Sequence, residues 1–192
     1  MTQIDAINRM LRYIGELPVP TTIVIDNLPE GHEARVAKTI LSEISRELQE
    51  KGWWFNTEDW EFIPDSTGYI TIPDSVISIT PSTTREKYMV KGGDLYDVTN
   101  KTKIFTTNIT LKTVFESDFE DLPSSFATLT TYVASKHLHT YLNGDETTQK
   151  ELENNIIVQT LKVERDDINN KNINFVRGSR LIDRTTNPSP LI

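Results

Sequence analysis

The side chains best suited to metal binding or proton transfer are few and poorly spaced in this sequence. Its three histidines are His32, His137 and His139. His137 and His139 are two residues apart in a segment with helical periodicity, so they point to different faces of the helix. A shared metal ion needs a spacing of three or four residues. We therefore expect a half-buried His137, a solvated His139 and no metal site.

Motifs for phosphate binding or nucleophilic catalysis are also missing. The paired glycines in KGGD lack the further glycines of a nucleotide-binding loop and suit a turn between strands. The chain has no cysteine. Acidic pairs such as Glu58–Asp59 could serve a glycosidase, which needs two carboxylates across a cleft, but any acidic chain contains such pairs. The sequence predicts no catalytic residue, no metal and no cofactor, with a cell-wall hydrolase kept as an alternative.

The stretch EKGWWFNTEDWEFIPD contains all three tryptophans of the chain. Tryptophans on an exposed sheet can stack on sugars or bases, which makes a glycan-binding module a further alternative. The glycine before the first Trp is, however, suited to end a helix, and Trp60 alternates with Phe62 as core residues of a strand do. We therefore predict a structural junction that buries these side chains or presents them to a neighbouring subunit. The predicted junction residues are Gly52, Trp53, Trp54, Phe55 and Trp60.

Four segments have the apolar spacing of amphipathic helices. Thr2 and Asp145 are suitable N-caps for the first and the fourth, and Gly52 is a suitable C-cap for the second. The predicted helices span residues 4–14, 30–51, 122–143 and 145–171. The third is expected to turn Phe126, Leu129, Val133, His137 and Tyr141 inward. The fourth is expected to bury Leu152, Ile156 or Ile157, Leu161 and Ile168.

Between the second and third helices the pattern changes to short alternating runs typical of antiparallel strands. KYMV and LYDV flank the Gly-Gly pair as a hairpin. Five to seven strands are expected, in a small curled sheet or barrel. Because the strands form one block between helices, the fold class is α+β: an antiparallel helical bundle interrupted by a β insert, with an extended C-terminal tail. The predicted bounds are 1–56 and 122–172 for the bundle, 57–121 for the insert and 173–192 for the tail.

The composition narrows the possible partners. A length of 192 residues suits one domain with a subdomain and a tail, and the formal net charge of −8 argues against general affinity for nucleic acids. No stretch is apolar enough to span a membrane, and the N-terminus lacks the pattern of a secretory signal. We therefore expect a structural or interaction protein, made in the cytosol, rather than an enzyme.

Five motifs in register resemble the tail tubular protein A family, the head-to-tail adaptor of T7-like short-tailed phages. They are IGELPV after the first helix, GWWFN at the predicted junction, IPDSVISI, KGGDLYDVTNKT, and FEDLPSSFATLTTYVASKHLHTYL across the third helix. The resemblance covers nearly the whole chain in order and matches least well after residue 173.

The resemblance implies a virion protein of the short tail, assembled in the host cytoplasm. It implies a non-enzymatic ring of twelve copies between the portal protein and a nozzle similar to tail tubular protein B. Genomic DNA would pass through the ring without specific binding, and no membrane would be involved. By the same resemblance the C-terminal tail reaches the portal. Its expected contacts are Phe175, Arg177, Arg180, Leu181, Ile182 and Arg184.

Overall fold

The computed structural model describes residues 1–81, 86–142 and 144–171, which form four α-helices and five strands. The predicted tail, residues 173–192, lies outside these described residues. The α+β class and the order helix, helix, strands, helix, helix are confirmed. The bounds are α1 Gln3–Tyr13, α2 Glu33–Glu50, β1 Thr57–Phe62, β2 Val76–Pro81, β3 Tyr88–Lys91, β4 Asp94–Asp97, β5 Ile109–Phe115, α3 Ser124–Leu142 and α4 Glu146–Asn170.

The strands form two antiparallel sheets, which corrects the expected single curled sheet or barrel. The larger sheet has the order β1-β5-β2, and the smaller is the hairpin β3-β4. Gly92 and Gly93 have positive φ angles of 65° and 82°, as the two central residues of a tight hairpin turn require. The free edge of β4 hydrogen-bonds an irregular segment, through Leu95 N to Ile70 O and Ile72 N to Gly93 O. This segment occupies the β4 edge, and no strand of the hairpin pairs with the larger sheet among the described residues.

The buried side chains of these elements form two separate hydrophobic clusters. The first is built from the helices and includes Leu11, Leu41, Phe126 and Leu138. The second lies among the strands and consists of Phe62, Ile70, Ile72, Leu95, Phe105 and Leu111. The division of the chain into domains at residues 57 and 121 stays a prediction, because two clusters do not establish independent folding.

Helix α3 lies at the centre of the bundle and packs against α1, α2 and α4. Contact on several sides buries more of its surface than one stripe, and Thr130, Thr131 and Ser135 are buried with their hydroxyls donating to the helix's own carbonyls. The predicted stripe is right for Phe126 and Leu129. It is wrong for its last two members, since His137 and Tyr141 are exposed.

The prediction for His139 was also wrong, because this side chain is completely buried. Its Nε2 lies 2.8 Å from Asp145 Oδ2, while its Nδ1 is buried with no hydrogen-bond partner among the described residues. Asp145 is the N-cap of α4 and also accepts the backbone N–H of Thr148 at 2.9 Å. The buried imidazole therefore ties α3 to the first turn of α4.

The prediction for the buried face of α4 is right in the first half of the helix and wrong in the second. Leu152 is buried and Ile156 packs partly buried against the helical cluster, as predicted. Leu161 and Ile168 are exposed, and Gln159 and Val163 are buried instead. Because a glutamine is part of this face, the apolar spacing did not indicate it. Gln159 is accepted there because its side-chain N–H donates to Ser125 O at 2.8 Å, which satisfies a buried polar group.

The N-cap at Asp145 leads to a testable prediction about how stability depends on pH. Hydrogen bonds from the backbone and side chain of Thr148, and then contact with His139, hold the pKa of Asp145 below its ordinary value. A lowered pKa in the folded state gives stability that is present above the unfolded pKa, about 3.9, and is lost as the pH falls through the folded pKa. We expect Asp145→Ala to lower the melting temperature at pH 7, and the difference from wild type to shrink as the pH falls below 4.

Thermal melts by circular dichroism across pH 2.5–7 check this. Asp74→Ala is the matched control, because Asp74 is exposed and makes no side-chain hydrogen bond among the described residues. A difference in melting temperature between Asp145→Ala and wild type that stays constant from pH 2.5 to 7 would contradict the prediction.

Candidate functional site

The junction begins where α2 ends. Lys51 is the C-cap residue, and Gly52 follows with a φ of 76°, in the left-handed region that favours glycine. A Cβ atom on Gly52 would lie 3.1 Å from both Thr57 Oγ1 and Val114 Cγ2. Both the backbone conformation and the close approach of β1 and β5 therefore call for glycine at this position.

Trp53 fills the space beneath the helix end, with only 4% of its surface exposed. Its indole N–H donates to Leu48 O at 2.7 Å, so the polar end of the ring is satisfied. Its ring packs edge to face on Phe126 of α3 at a centroid distance of 5.4 Å, and Phe55 does the same at 4.9 Å. These aromatic contacts join the end of α2 to the start of α3.

Two buried amides, which the sequence analysis did not single out, complete the junction. Asn56 accepts the backbone N–H of Trp53 at 2.8 Å and donates to Gln49 O and Phe115 O, both at 3.1 Å. Gln49 accepts the N–H of Ser117 at 2.8 Å and donates to Ser117 O at 3.1 Å. These bonds connect α2 with the segment that leaves β5. The signal available in the sequence was weak, because a lone Asn or Gln is usually exposed.

The C-terminal end of α4 is fixed to the same place. Asp167 accepts the backbone N–H of Trp54 at 2.8 Å and pairs with Lys171 at 2.8 Å. Lys171 also donates to Gly52 O at 3.3 Å. Residues 172–192 therefore continue the chain from the junction.

The remaining two tryptophans are surface residues, which corrects their interpretation as core. Trp54 is 40% exposed in the turn before β1, and Trp60 is 45% exposed within β1. Trp60 packs edge to face on Phe115, and Trp54 on Phe55. Because β1 is an edge strand of the larger sheet, Trp60 has a neighbouring strand, β5, on one side only. Trp54 and Trp60 make no ring contact with one another in the described part of the chain, so they do not form one stacking platform there.

The described residues contain no group of three or more His, Asp or Glu that could hold a metal ion. Within the same ranges, no helix is long and apolar enough to cross a membrane. The junction is thus a packed, hydrogen-bonded joint rather than an open cleft with facing carboxylates. The predicted tail contacts from Phe175 to Arg184 lie outside the described residues.

Comparison with known proteins identifies the family of the chain. The model of a family described as "Tail tubular protein" matches residues 4–177. The chain belongs to the tail tubular protein family. It is also 33% identical over 127 residues to a protein named tail tubular protein A, from Klebsiella phage KP34. That match covers 66% of this chain and 66% of the relative, so part of the relative's length lies outside it.

Family membership confirms the resemblance stated from the five motifs and places the chain in the tail of a phage virion. A tail tubular protein has a structural role in the tail, which points away from catalysis. The role also requires assembly with other virion proteins. The roles of the junction residues and of the tail residues in those contacts stay predictions.

Proposed function

We propose that this tail protein is the head-to-tail adaptor of a short-tailed phage. In this proposal twelve copies form a ring between the portal and the tail nozzle, and the genome passes through the ring during ejection. The observation that carries the proposal is the family match over residues 4–177. The protein has no enzymatic role in this proposal, and a rigid joint between helices and strands suits a part that must hold its shape under assembly.

The charge of the chain supports a passage for DNA that does not bind it. The formal net charge is −8 per copy, and a ring multiplies that charge around a common axis. Like charge repels phosphate, and specific or non-specific DNA binding would need clustered Lys and Arg. A genome could therefore slide past such a ring without being held.

The portal contact is assigned to the C-terminal tail, residues 173–192. This segment continues from α4 at the junction, where Lys171 contacts Gly52. It contains the apolar residues Phe175, Leu181 and Ile182 and the cationic residues Arg177, Arg180 and Arg184, which suit an extended segment binding across a partner surface.

The test compares the full chain with a chain ending at Asn172, each mixed with purified portal and imaged by electron microscopy. We expect full-length protein to form a ring on the portal and the shortened chain to bind at least about tenfold more weakly, because a hot-spot set of aromatic and Arg contacts is lost. All described residues of both hydrophobic clusters remain in the shortened chain, so we expect its melting temperature to be unchanged.

Two further variants separate the contribution of the cationic tail residues to portal binding from that of the apolar tail residues. One replaces Arg177, Arg180 and Arg184 by Glu, and the other replaces Phe175, Leu181 and Ile182 by Ser. Equal portal binding by the chain ending at Asn172 would refute the tail assignment. Absence of any ring on the portal with the full chain would refute the adaptor proposal itself.

A further inference from the structure

Helix α4 carries apolar residues on two opposite faces. Successive residues turn by about 100° around a helix, so the buried face of Leu152 and Val163 lies opposite a stripe formed by Ile157, Leu161 and Ile168. The stripe residues are exposed by 60%, 64% and 40% respectively. A helix at the surface of a monomer normally has a polar outer face. The second stripe therefore indicates a contact that the described residues of one chain do not make.

The stripe is bordered by positive charge. Lys162 and Arg165 are exposed beside it on α4, and neither forms a salt bridge within the described residues. The neighbouring Glu164, in contrast, pairs with Lys51. The outer face of α4 thus presents the stripe, the nearby exposed Val158, and two cations without a salt bridge among the described residues.

Helix α2 presents a surface of the opposite charge. Glu43, Glu47 and Glu50 are exposed along one face and have no ion pair among residues 1–81, 86–142 and 144–171. Glu43 and Glu47 are four residues apart, an arrangement that is destabilising within a helix unless a cation lies nearby. The Arg46 between them is already paired with Glu116.

These glutamates line a groove of 340 Å³ between α2 and β2, together with Arg46 of α2 and with Ile77 at its wall. The groove offers an apolar contact bordered by carboxylates, whereas α4 offers an apolar stripe bordered by cations. The two surfaces are complementary in charge and in apolar character.

The two surfaces belong to different helices. α2 and α4 each pack on α3, and they approach one another where Lys51 at the end of α2 pairs with Glu164. A contact between two different faces is heterologous, and repeated contacts of that kind close into a ring when the rotation allows. An α4-to-α2 contact is therefore of the type that a ring needs, and a stripe-to-stripe contact between two α4 helices is not.

We propose that the outer stripe of α4 in one copy docks onto the α2–β2 groove of the next copy in the assembled tail. Ile157, Leu161 and Ile168 would contact Ile77 and the helix surface, and Lys162 and Arg165 would pair with Glu43 and Glu47. This inference rests on the proposed ring and names the surfaces that form it.

Cysteine cross-linking tests the inference directly, because the chain has no cysteine of its own. The double variant Leu161→Cys/Glu47→Cys is expressed during infection, and purified particles are treated with a short bis-maleimide. We expect a ladder of multimers on a denaturing gel, ending at one closed species. The single variants should give no ladder, and neither should Ile63→Cys/Glu47→Cys, in which the cysteine replaces an exposed apolar residue that follows β1 and does not belong to α4.

Other products would overturn the inference. A dimer from Leu161→Cys alone would mean that two α4 helices face one another. A conjugate of Leu161→Cys with a different virion protein would mean that the stripe belongs to another partner. A ring seen in the particles by electron microscopy, without the ladder, would refute this interface while leaving the adaptor proposal intact. Particles with no ring would refute the adaptor proposal first.

Charge reversal supplies an independent readout. Lys162→Glu/Arg165→Glu should lower incorporation into particles by at least about tenfold, since each contact in the ring becomes repulsive. Adding Glu43→Lys/Glu47→Lys to the same chain should restore most of the incorporation into particles. All four side chains are exposed, so the melting temperatures of the free variants should match wild type. Loss without restoration would exclude α2 as the partner surface.

Discussion

Replacement of Trp53 by alanine is expected to lower the free energy of unfolding by about 3–5 kcal/mol, the range for a large aromatic side chain removed from a core. The change removes the contact with Phe126 and the hydrogen bond to Leu48 O, and it leaves a cavity where α2, α3 and the start of the sheet meet. Urea denaturation followed by circular dichroism measures the loss. A chain of this length should also show a melting temperature lower by about 10 °C.

Trp60→Ala is the matched control for this experiment. Trp60 belongs to the same aromatic stretch but is 45% exposed, and its ring contact with Phe115 is expected to contribute less than about 1.5 kcal/mol. The two variants therefore distinguish the loss of packing at the junction from the loss of any tryptophan of this stretch. Similar losses from both variants would mean that the junction is not the point where the core is most sensitive.

The second large effect is expected at Asn56. In Asn56→Asp the carboxylate can still accept the N–H of Trp53, but it faces the carbonyl oxygens of Gln49 and Phe115, to which Asn56 donates. Burial and two acceptors disfavour the charged form and raise the pKa of the introduced carboxyl in the folded state. A raised folded pKa makes the variant less stable than wild type as the pH rises above about 4, the unfolded value.

We therefore expect Asn56→Asp to lose about 3 kcal/mol at pH 7, from buried groups left unsatisfied, and to recover part of it near pH 4. Asn27→Asp is the control, because Asn27 is exposed and its side chain makes no hydrogen bond among the described residues. Unfolding free energies at pH 4, 5.5 and 7 provide the comparison. A loss that does not vary with pH would show that the amide at residue 56 acts through its shape alone.

Local signals in the sequence predicted the fold class and the helices well. Thr2 and Asp145 are N-caps as expected, and Gly52 follows the end of α2 with a positive φ. These features depend on neighbours within a few residues, which a sequence displays directly. The Gly-Gly hairpin is of the same kind.

Features that depend on distant partners were missed. The burial of His139 follows from the packing of α4 on α3, and Gln49 and Asn56 are buried because each meets backbone groups at the end of β5. The second half of the buried face of α4 was misassigned, because Gln159 interrupts this face and Leu161 and Ile168 face outward. Apolar spacing shows that a helix has a stripe, but it does not distinguish a stripe buried within the chain from one that other chains could cover.

The pairing of the first and last strands has a consequence for folding. Thr57 lies opposite Val114, and the N–H of Phe115 donates to Asn56 O at 2.8 Å, so the whole β segment begins and ends at one point. Residues 57–114 therefore form a loop between α2 and α3 whose two ends are held together by this strand pairing. Closure entropy grows slowly with loop length, by about 0.6 kcal/mol for each doubling. The strands could therefore be lengthened, shortened or exchanged for another small sheet while the helices α2 and α3 still meet in the same way.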